Sequence, residues 1–339
     1  MSAQIAGPET VGHLTDQAPP PDPSSTKAKE IAGKSPMQIA FGRLVRDKIA
    51  LFCAFVILVF VLVAVFAGVI CSIFGVTTDT VFASEYVDGL TGMPLTGPPL
   101  HGFDPNHPFG LAPQTGEDNL AYWVYGCRTS LSIAFMATVF ASSVGIVLGL
   151  LAGFLGGTTD RIISFFTDLF LTIPFLLAAL VIAPIISERF AASDHYKQIQ
   201  FWNLVAVLSI FTWMGTARLI RGEVLSLRER EFIMAARVIG MPTRRILVKE
   251  LLPNLAAPIV ISISLMLPLF VAAEAGLAFL GIGVTSGISW GQTINKAVTF
   301  FDTYPLYLWE PTLGIVALCL ALNLLGDAIR DALDPKTRR

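Results

Sequence analysis

Two carboxylates, Asp168 and Glu274, each stand alone in long apolar runs of this 339-residue chain. A charge in such a run is costly unless it faces a wet cavity, a partner group or the edge of the run. Two roles are open to them: cavity-lining groups that meet a substrate's amino end or a proton, or structural groups that bond neighbouring helices. His101, His107 and His195 lie singly in polar connections, the pattern of solvated imidazoles rather than of a metal or haem site. Cys53, Cys71, Cys127 and Cys319 have neither pairing nor ligand spacing, and no disulfide framework follows from them. Gly33-Lys34-Ser35 imitates the end of a phosphate-binding loop, but Ala28 stands where its first glycine belongs and no apolar strand precedes it. No His-x-x-x-His, Cys-x-x-Cys, Ser-His-Asp or nucleotide-binding glycine pattern is present. These residues predict no catalysis, metal or cofactor. The chain is expected not to be an enzyme, and any ATP chemistry belongs to a partner.

The elements that hold these residues are membrane spans. The chain is 54% hydrophobic and 14% charged, with a mean hydropathy of +0.67. That composition excludes a soluble enzyme and places the chain among polytopic membrane proteins. About 20 mostly apolar residues cross the hydrocarbon. Six runs qualify: 49–74, 130–155, 162–186, 202–219, 257–280 and 308–325. The expected fold is therefore an all-α polytopic membrane protein of six transmembrane helices, since each span must satisfy its own backbone polar groups. Spans two and three are rich in Gly, Ala, Ser and Thr, with Gly145, Gly149 and Gly153 spaced for close helix–helix approach. Pro258 and Pro268 are expected to start or kink segments of span five.

Around the spans the layout reads as a disordered cytoplasmic tail over 1–40, a first span over 41–75, an extracytoplasmic segment over 76–127 and a core over 128–335. The tail is no cleavable signal, because its apolar run begins only near Ile49. Nineteen of the 23 Lys and Arg fall in the N-terminal segment, the 218–249 loop, the short turn at Arg161 and the C-terminal tail. Only Arg128, Arg189, Lys197 and Lys296 fall on the other side. The positive-inside rule then makes both termini and the 218–249 loop cytoplasmic. The 76–127 segment carries Asp79, Glu85, Asp88, Asp104, Glu117 and Asp118 against no Lys or Arg.

One cytoplasmic stretch, 228–254, is a charged island that Gly240 splits into two short helical pieces. Phe232, Ala235, Ala236 and Ile239 fall at i, i+3, i+4 and i+7 and share one face. Arg230, Met234, Arg237 and Met241 fall on another, and Pro242 opens the second piece. Such a loop is either a docking site for another protein or a basic loop that only sets topology. Glu223, Glu229, Glu231 and Glu250 interleave with its arginines, which argues against nucleic acid as the partner.

Five strings in order carry a resemblance. Met234-Ala235-Ala236, Gly240 and Leu252-Pro253 resemble the E-A-A…G…I-x-L-P loop of permease subunits of ATP-binding-cassette (ABC) importers. Met234 replaces the motif's Glu, as in the dipeptide/oligopeptide branch, and Glu250 replaces its Ile. His107-Pro108-Phe109-Gly110 with Gly116-Glu117-Asp118 resembles a worn H-x-x-G-T-D-x-x-G-R-D segment. Tyr125-Gly126-Cys127-Arg128-Thr129-Ser130-Leu131 resembles Y-G-A-R-x-S-L. Ala273-Glu274-Ala275 through Gly283-Val284, then Ser289-Trp290-Gly291, resembles A-E-A-x-x-x-F-L-G-x-G-V…S-W-G. Asn323 to Pro335 resembles the family's C-terminal signature. The chain is thus similar to C-type permeases of dipeptide/oligopeptide importers.

The resemblance implies a type I ABC importer transmembrane domain in the bacterial cytoplasmic (inner) membrane. It implies a coupling loop over 222–254 in which Arg230, Glu231, Phe232, Met234, Ala235, Ala236, Arg237 and Gly240 dock an ATPase. It also implies the partners: a second permease subunit, ATP-binding subunits and an extracytoplasmic substrate-binding protein that the 76–127 segment meets. Peptides are the implied substrate, with nickel complexes and haem as alternatives in related systems. The competing class is an ion-gradient-driven secondary transporter, marked by more intramembrane charges or by paired broken helices in two halves.

Overall fold

The structure, a computed structural model, describes residues 36–78, 83–285 and 287–333. The expected tail up to residue 35, with its Gly33-Lys34-Ser35, and the last two residues of the C-terminal signature lie outside the described residues. Twelve helices carry the argument: α1 (Pro36–Leu44), α2 (Lys48–Val65), α3 (Ala67–Phe74), α4 (Asn119–Leu155), α5 (Gly157–Thr172), α6 (Phe175–Arg189), α7 (Tyr196–Ile210), α8 (Trp213–Leu227), α9 (Glu231–Val238), α10 (Ala256–Phe279), α11 (Trp290–Ala297) and α12 (Pro305–Leu333). Among the described residues β-structure is limited to two isolated bridges, Val87 with Pro94 and Leu111 with Asp118.

Five helical stretches are long and apolar enough to cross a membrane: α2, α4, the 32-residue run Tyr196–Leu227 formed by α7 and α8, α10 and α12. The sixth span differs from the continuous helix expected over 162–186. It is split into α5 and α6, which meet at 86°. The cause is local. Ile173 precedes Pro174 and takes an extended backbone, φ −83° and ψ 118°, as a residue before proline prefers. Pro268 acts less sharply, since α10 runs through it. The carbonyl it leaves without an intrahelical donor is that of Ser264, against which Gly326 of α12 packs closely.

The central element is α4. Its 37 residues extend about 56 Å at 1.5 Å per residue, far beyond the roughly 30 Å of hydrocarbon. It packs against α8, α10, α7 and α2, and α12 closes the bundle against α10, α2 and α1. Gly145, Gly149 and Gly153 form one stripe of α4 against α8. A Cβ on each would come within 2.7 Å of Thr216, the Ala217 carbonyl and Val224 respectively. The two backbones touch because these positions lack a side chain. The main core lies between α4, α7, α8 and α10, around Ile133, Leu204, Leu208 and Phe270.

Candidate functional site: a docking helix on a rigid base

Beyond the ends of α4 and α8 the chain folds into a small subdomain at the most basic end of the bundle. Arg230 is the N-cap residue of α9 and Glu231 fills its first turn, where an acid complements the helix dipole. Arg237 closes the last turn. The Met241 amide then donates to the Ala236 carbonyl and the Gly240 amide to that of Arg237, both at 3.0 Å. This is a Schellman termination, and it places Gly240 at φ +78°, a left-handed value that glycine adopts without penalty. The return leg starts after Pro242, passes through a π-helical stretch at Ile246–Leu251 and leads directly into α10.

An isolated helix of eight residues is unstable in water, where about 12–15 are needed even for favourable sequences. Burial holds α9 in place. Ile233 is fully buried and Ala236 is 6% exposed. They join Leu150 and Phe154 of α4, Ile220 and Val224 of α8, and Ile246, Leu251 and Leu255 of the return leg in one core. Each fully buried aliphatic chain of this kind is worth roughly 1.5–3 kcal/mol. Two arginines add polar attachment to α4: Arg228 donates to the Gly153 carbonyl at 3.3 Å, and the Arg237 guanidinium lies 4.7 Å over the Phe154 ring.

The part that remains outside is an apolar set flanked by the charged Glu231 and Arg237. Phe232, Met234, Ala235, Val238 and Ile239 are exposed, Val238 at 87% and Ile239 at 81%. The face expected from spacing therefore divides. Phe232, Ala235 and Ile239 point outward, but Ala236 turns inward and serves the base with Ile233. Periodicity marks a stripe; it does not tell which of two adjacent stripes the rest of the fold covers. Ile233, Arg228 and the grip on α4 carry no sequence signature of their own.

Two arginines counted with the loop sit instead on α8, within the bundle. Arg221 makes a bidentate pair with Asp160 of α5, 2.6 and 2.8 Å, and Arg218 meets Asp168 at 2.5 Å. Asp168 thus borders a cavity between α4, α5 and α8. Glu274 does not. It is fully buried near the far end of α10, and neither of its carboxylate oxygens has a hydrogen-bond partner among the described residues. There the motif strings meet in one node. Trp290 packs on Gly126 and donates from Nε1 to the Trp123 carbonyl at 2.9 Å, and Gly291 sits against Ala275.

The opposite end is covered by the segment leading to α4. The buried Asp118 accepts the Ala121 amide at the start of α4 and pairs with His107 Nδ1 at 2.7 Å. Burial pushes the Asp118 carboxyl above the usual aspartate range, while the His107 hydrogen bond pulls the other way. Lys296 of α11 reaches Glu117 at 3.0 Å and lies 5.2 Å over the Tyr122 ring. Tyr304 donates to the Pro98 carbonyl at 2.8 Å.

Residues 145–339 match the family described as binding-protein-dependent transport system inner membrane component. Residues 35–80 match the N-terminal TM domain of oligopeptide transport permease C. The dipeptide transport system permease protein DppC of Alkalihalophilus pseudofirmus is 32% identical over 329 residues, 96% of this chain and 99% of that one. The oligopeptide transport system permease protein OppC of Haemophilus influenzae is 29% identical over 310 residues, 91% of each chain. The MetNI methionine ABC transporter, solved in inward-facing conformations, aligns with 63% of this chain and 96% of its own at a TM-score of 0.49 and 21% identity.

Proposed function

The chain belongs to the binding-protein-dependent transport system inner membrane component family, and from that premise we propose that it is one of two permease subunits of an ATP-driven peptide importer. It is a multi-pass inner-membrane protein. The basic end faces the cytoplasm, as its arginines favour. ATP hydrolysis belongs to separate subunits, and a substrate-binding protein delivers cargo to the opposite end.

The observation that carries this reading is an exposed apolar helix, α9, fixed to a buried base. A surface stripe of Phe232, Val238 and Ile239 beyond the span ends has no lipid to cover it and marks a protein contact. Loose attachment would dissipate any push on α9. Here the shared core joins it to α4, α8 and the return leg, so a displacement of α9 moves span ends as one body. ATPase subunits that close on ATP would shift the two permeases between outward- and inward-facing states by rocking. A secondary transporter would pair two broken spans; among the described residues one helix pair is bent.

The test replaces Phe232 and Ile239 together by Asp in the assembled transporter. Both side chains are exposed, so insertion and thermal stability should match wild type, while ATPase co-purification and peptide uptake are lost. Unchanged ATP-driven uptake by this variant would sink the docking role.

A further inference from the structure

We propose that Asp168 and Arg218 form a subsite for the charged ends of a zwitterionic peptide, their ion pair opening to receive the ammonium and carboxylate groups. This rests on the peptide-importer reading above. Asp168 lies eleven residues into α5 and Arg218 nine residues before the end of α8. At 1.5 Å per residue that is about 17 and 14 Å from the basic ends of their helices, within the third of the spans 162–186 and 202–219 nearest the basic end. Both side chains are nevertheless open, 57% exposed for Arg218 and 64% for Asp168. A charged pair at this depth belongs against water or protein rather than lipid. It borders a cavity of about 410 Å³ that Ser164, Thr167 and Arg221 also line, within the range of small-ligand sites.

A purely structural staple between α5 and α8 already exists, eight residues away along α5 and three along α8. Asp160 and Arg221 make two hydrogen bonds and are less exposed. The Asp168–Arg218 pair makes one, and among the described residues neither side chain has another hydrogen bond. A zwitterion crossing the membrane needs both of its charges met. Exchange with this pair meets them: the peptide ammonium takes Asp168 and its carboxylate takes Arg218, so no charge is left unpaired at any point. An extended dipeptide separates its ends by roughly 7 Å, which the long arginine stem can span by swinging away. Asp168 is four residues from the end of α5, where the 86° break with α6 begins. That break leaves the α5 terminus without a continuing helix to brace it.

The experiment uses the complete transporter with its partner subunits and binding protein in proteoliposomes. Uptake of Ala-Ala, N-acetyl-Ala-Ala and Ala-Ala-amide is measured for wild type, Asp168→Asn and Arg218→Gln. Ratios of free to blocked peptide, each relative to wild type, cancel the binding protein's own preference. Asp168→Asn should raise KM for Ala-Ala and the amide by about tenfold, leaving the acetylated peptide unchanged; Arg218→Gln should penalise Ala-Ala and the acetylated peptide, leaving the amide unchanged. Equal loss for all three peptides, or no change for any, overturns the subsite. If wild type takes up none of them in an ATP-dependent manner, the peptide reading fails and the inference fails with it.

Discussion

The two ends of the bundle are built on opposite terms. At the basic end nine buried apolar residues make the contacts, and the polar groups, Arg228 and Arg237, grip a helix end. The outer face of that subdomain is left open, with Phe232, Val238 and Ile239 exposed among the charged Glu231, Arg244 and Arg245. At the opposite end two smaller apolar clusters, around Leu120 and Val124 and around Tyr304 and Tyr307, are supplemented by specific polar pairs that hold the cover down: His107 with Asp118, Glu117 with Lys296, Tyr304 with the Pro98 carbonyl. Burial is non-directional and tolerates force from any side, whereas polar pairs fix one geometry and can be unmade one at a time. The first end suits a base that transmits motion. The second suits a cover that stays closed until something exchanges its partners.

That contrast can be broken most severely at the base. Gly149→Leu puts a side chain where a Cβ alone would sit 2.7 Å from the Ala217 carbonyl. Overpacking against backbone is expected to cost about 3 kcal/mol or more, seen as loss of monodisperse protein in size-exclusion chromatography. Ala236→Glu buries a charge in the loop core and should detach α9 at a cost of several kcal/mol, while the spans still insert. Protease nicking within 228–254 reads that release. Gly240→Val meets no neighbour within 4 Å, so its penalty is conformational, about 1–2 kcal/mol, and Gly240→Asn should recover most of it. Restored uptake in the Asn variant separates backbone strain from lost contacts.

At the polar end the effects should be smaller and separable. His107→Ala strips the buried Asp118 of a partner and should cost about 1–3 kcal/mol in thermal unfolding of the cover. Glu117→Gln should cost less, about 1 kcal/mol, because Lys296 is half-buried and its ammonium can still turn to solvent. A Glu117→Gln effect as large as that of Gly149→Leu would abolish the distinction between the ends.

Much of this was legible in the residues. The split loop follows from Gly240 between two apolar-periodic pieces, and the helix contact follows from glycines at 145, 149 and 153. The broken span was also written in the chain, at Ile173-Pro174, but hydropathy windows register apolarity and pass over one extended residue. The roles of Asp160 and Arg221 were not legible, since they are 61 positions apart and only the fold sets them side by side. Glu274 stood in an apolar run like Asp168, yet the structure sends one to a buried node and the other to a cavity. Hydropathy locates a charge along a span and is silent about which way around the helix it faces.

The shared core of α4, α8 and the return leg also fixes what can be exchanged between relatives. Residues 145–155 and 213–255 interlock through glycines on one side and their large counterparts on the other. A chimera that takes one without the other would inherit mismatched halves. The outward face of α9, by contrast, touches nothing within this chain's core and can be transplanted as a short cassette. Grafting the exposed positions of 231–239 from another permease should change which ATPase subunit is recruited and leave the transported cargo as it was.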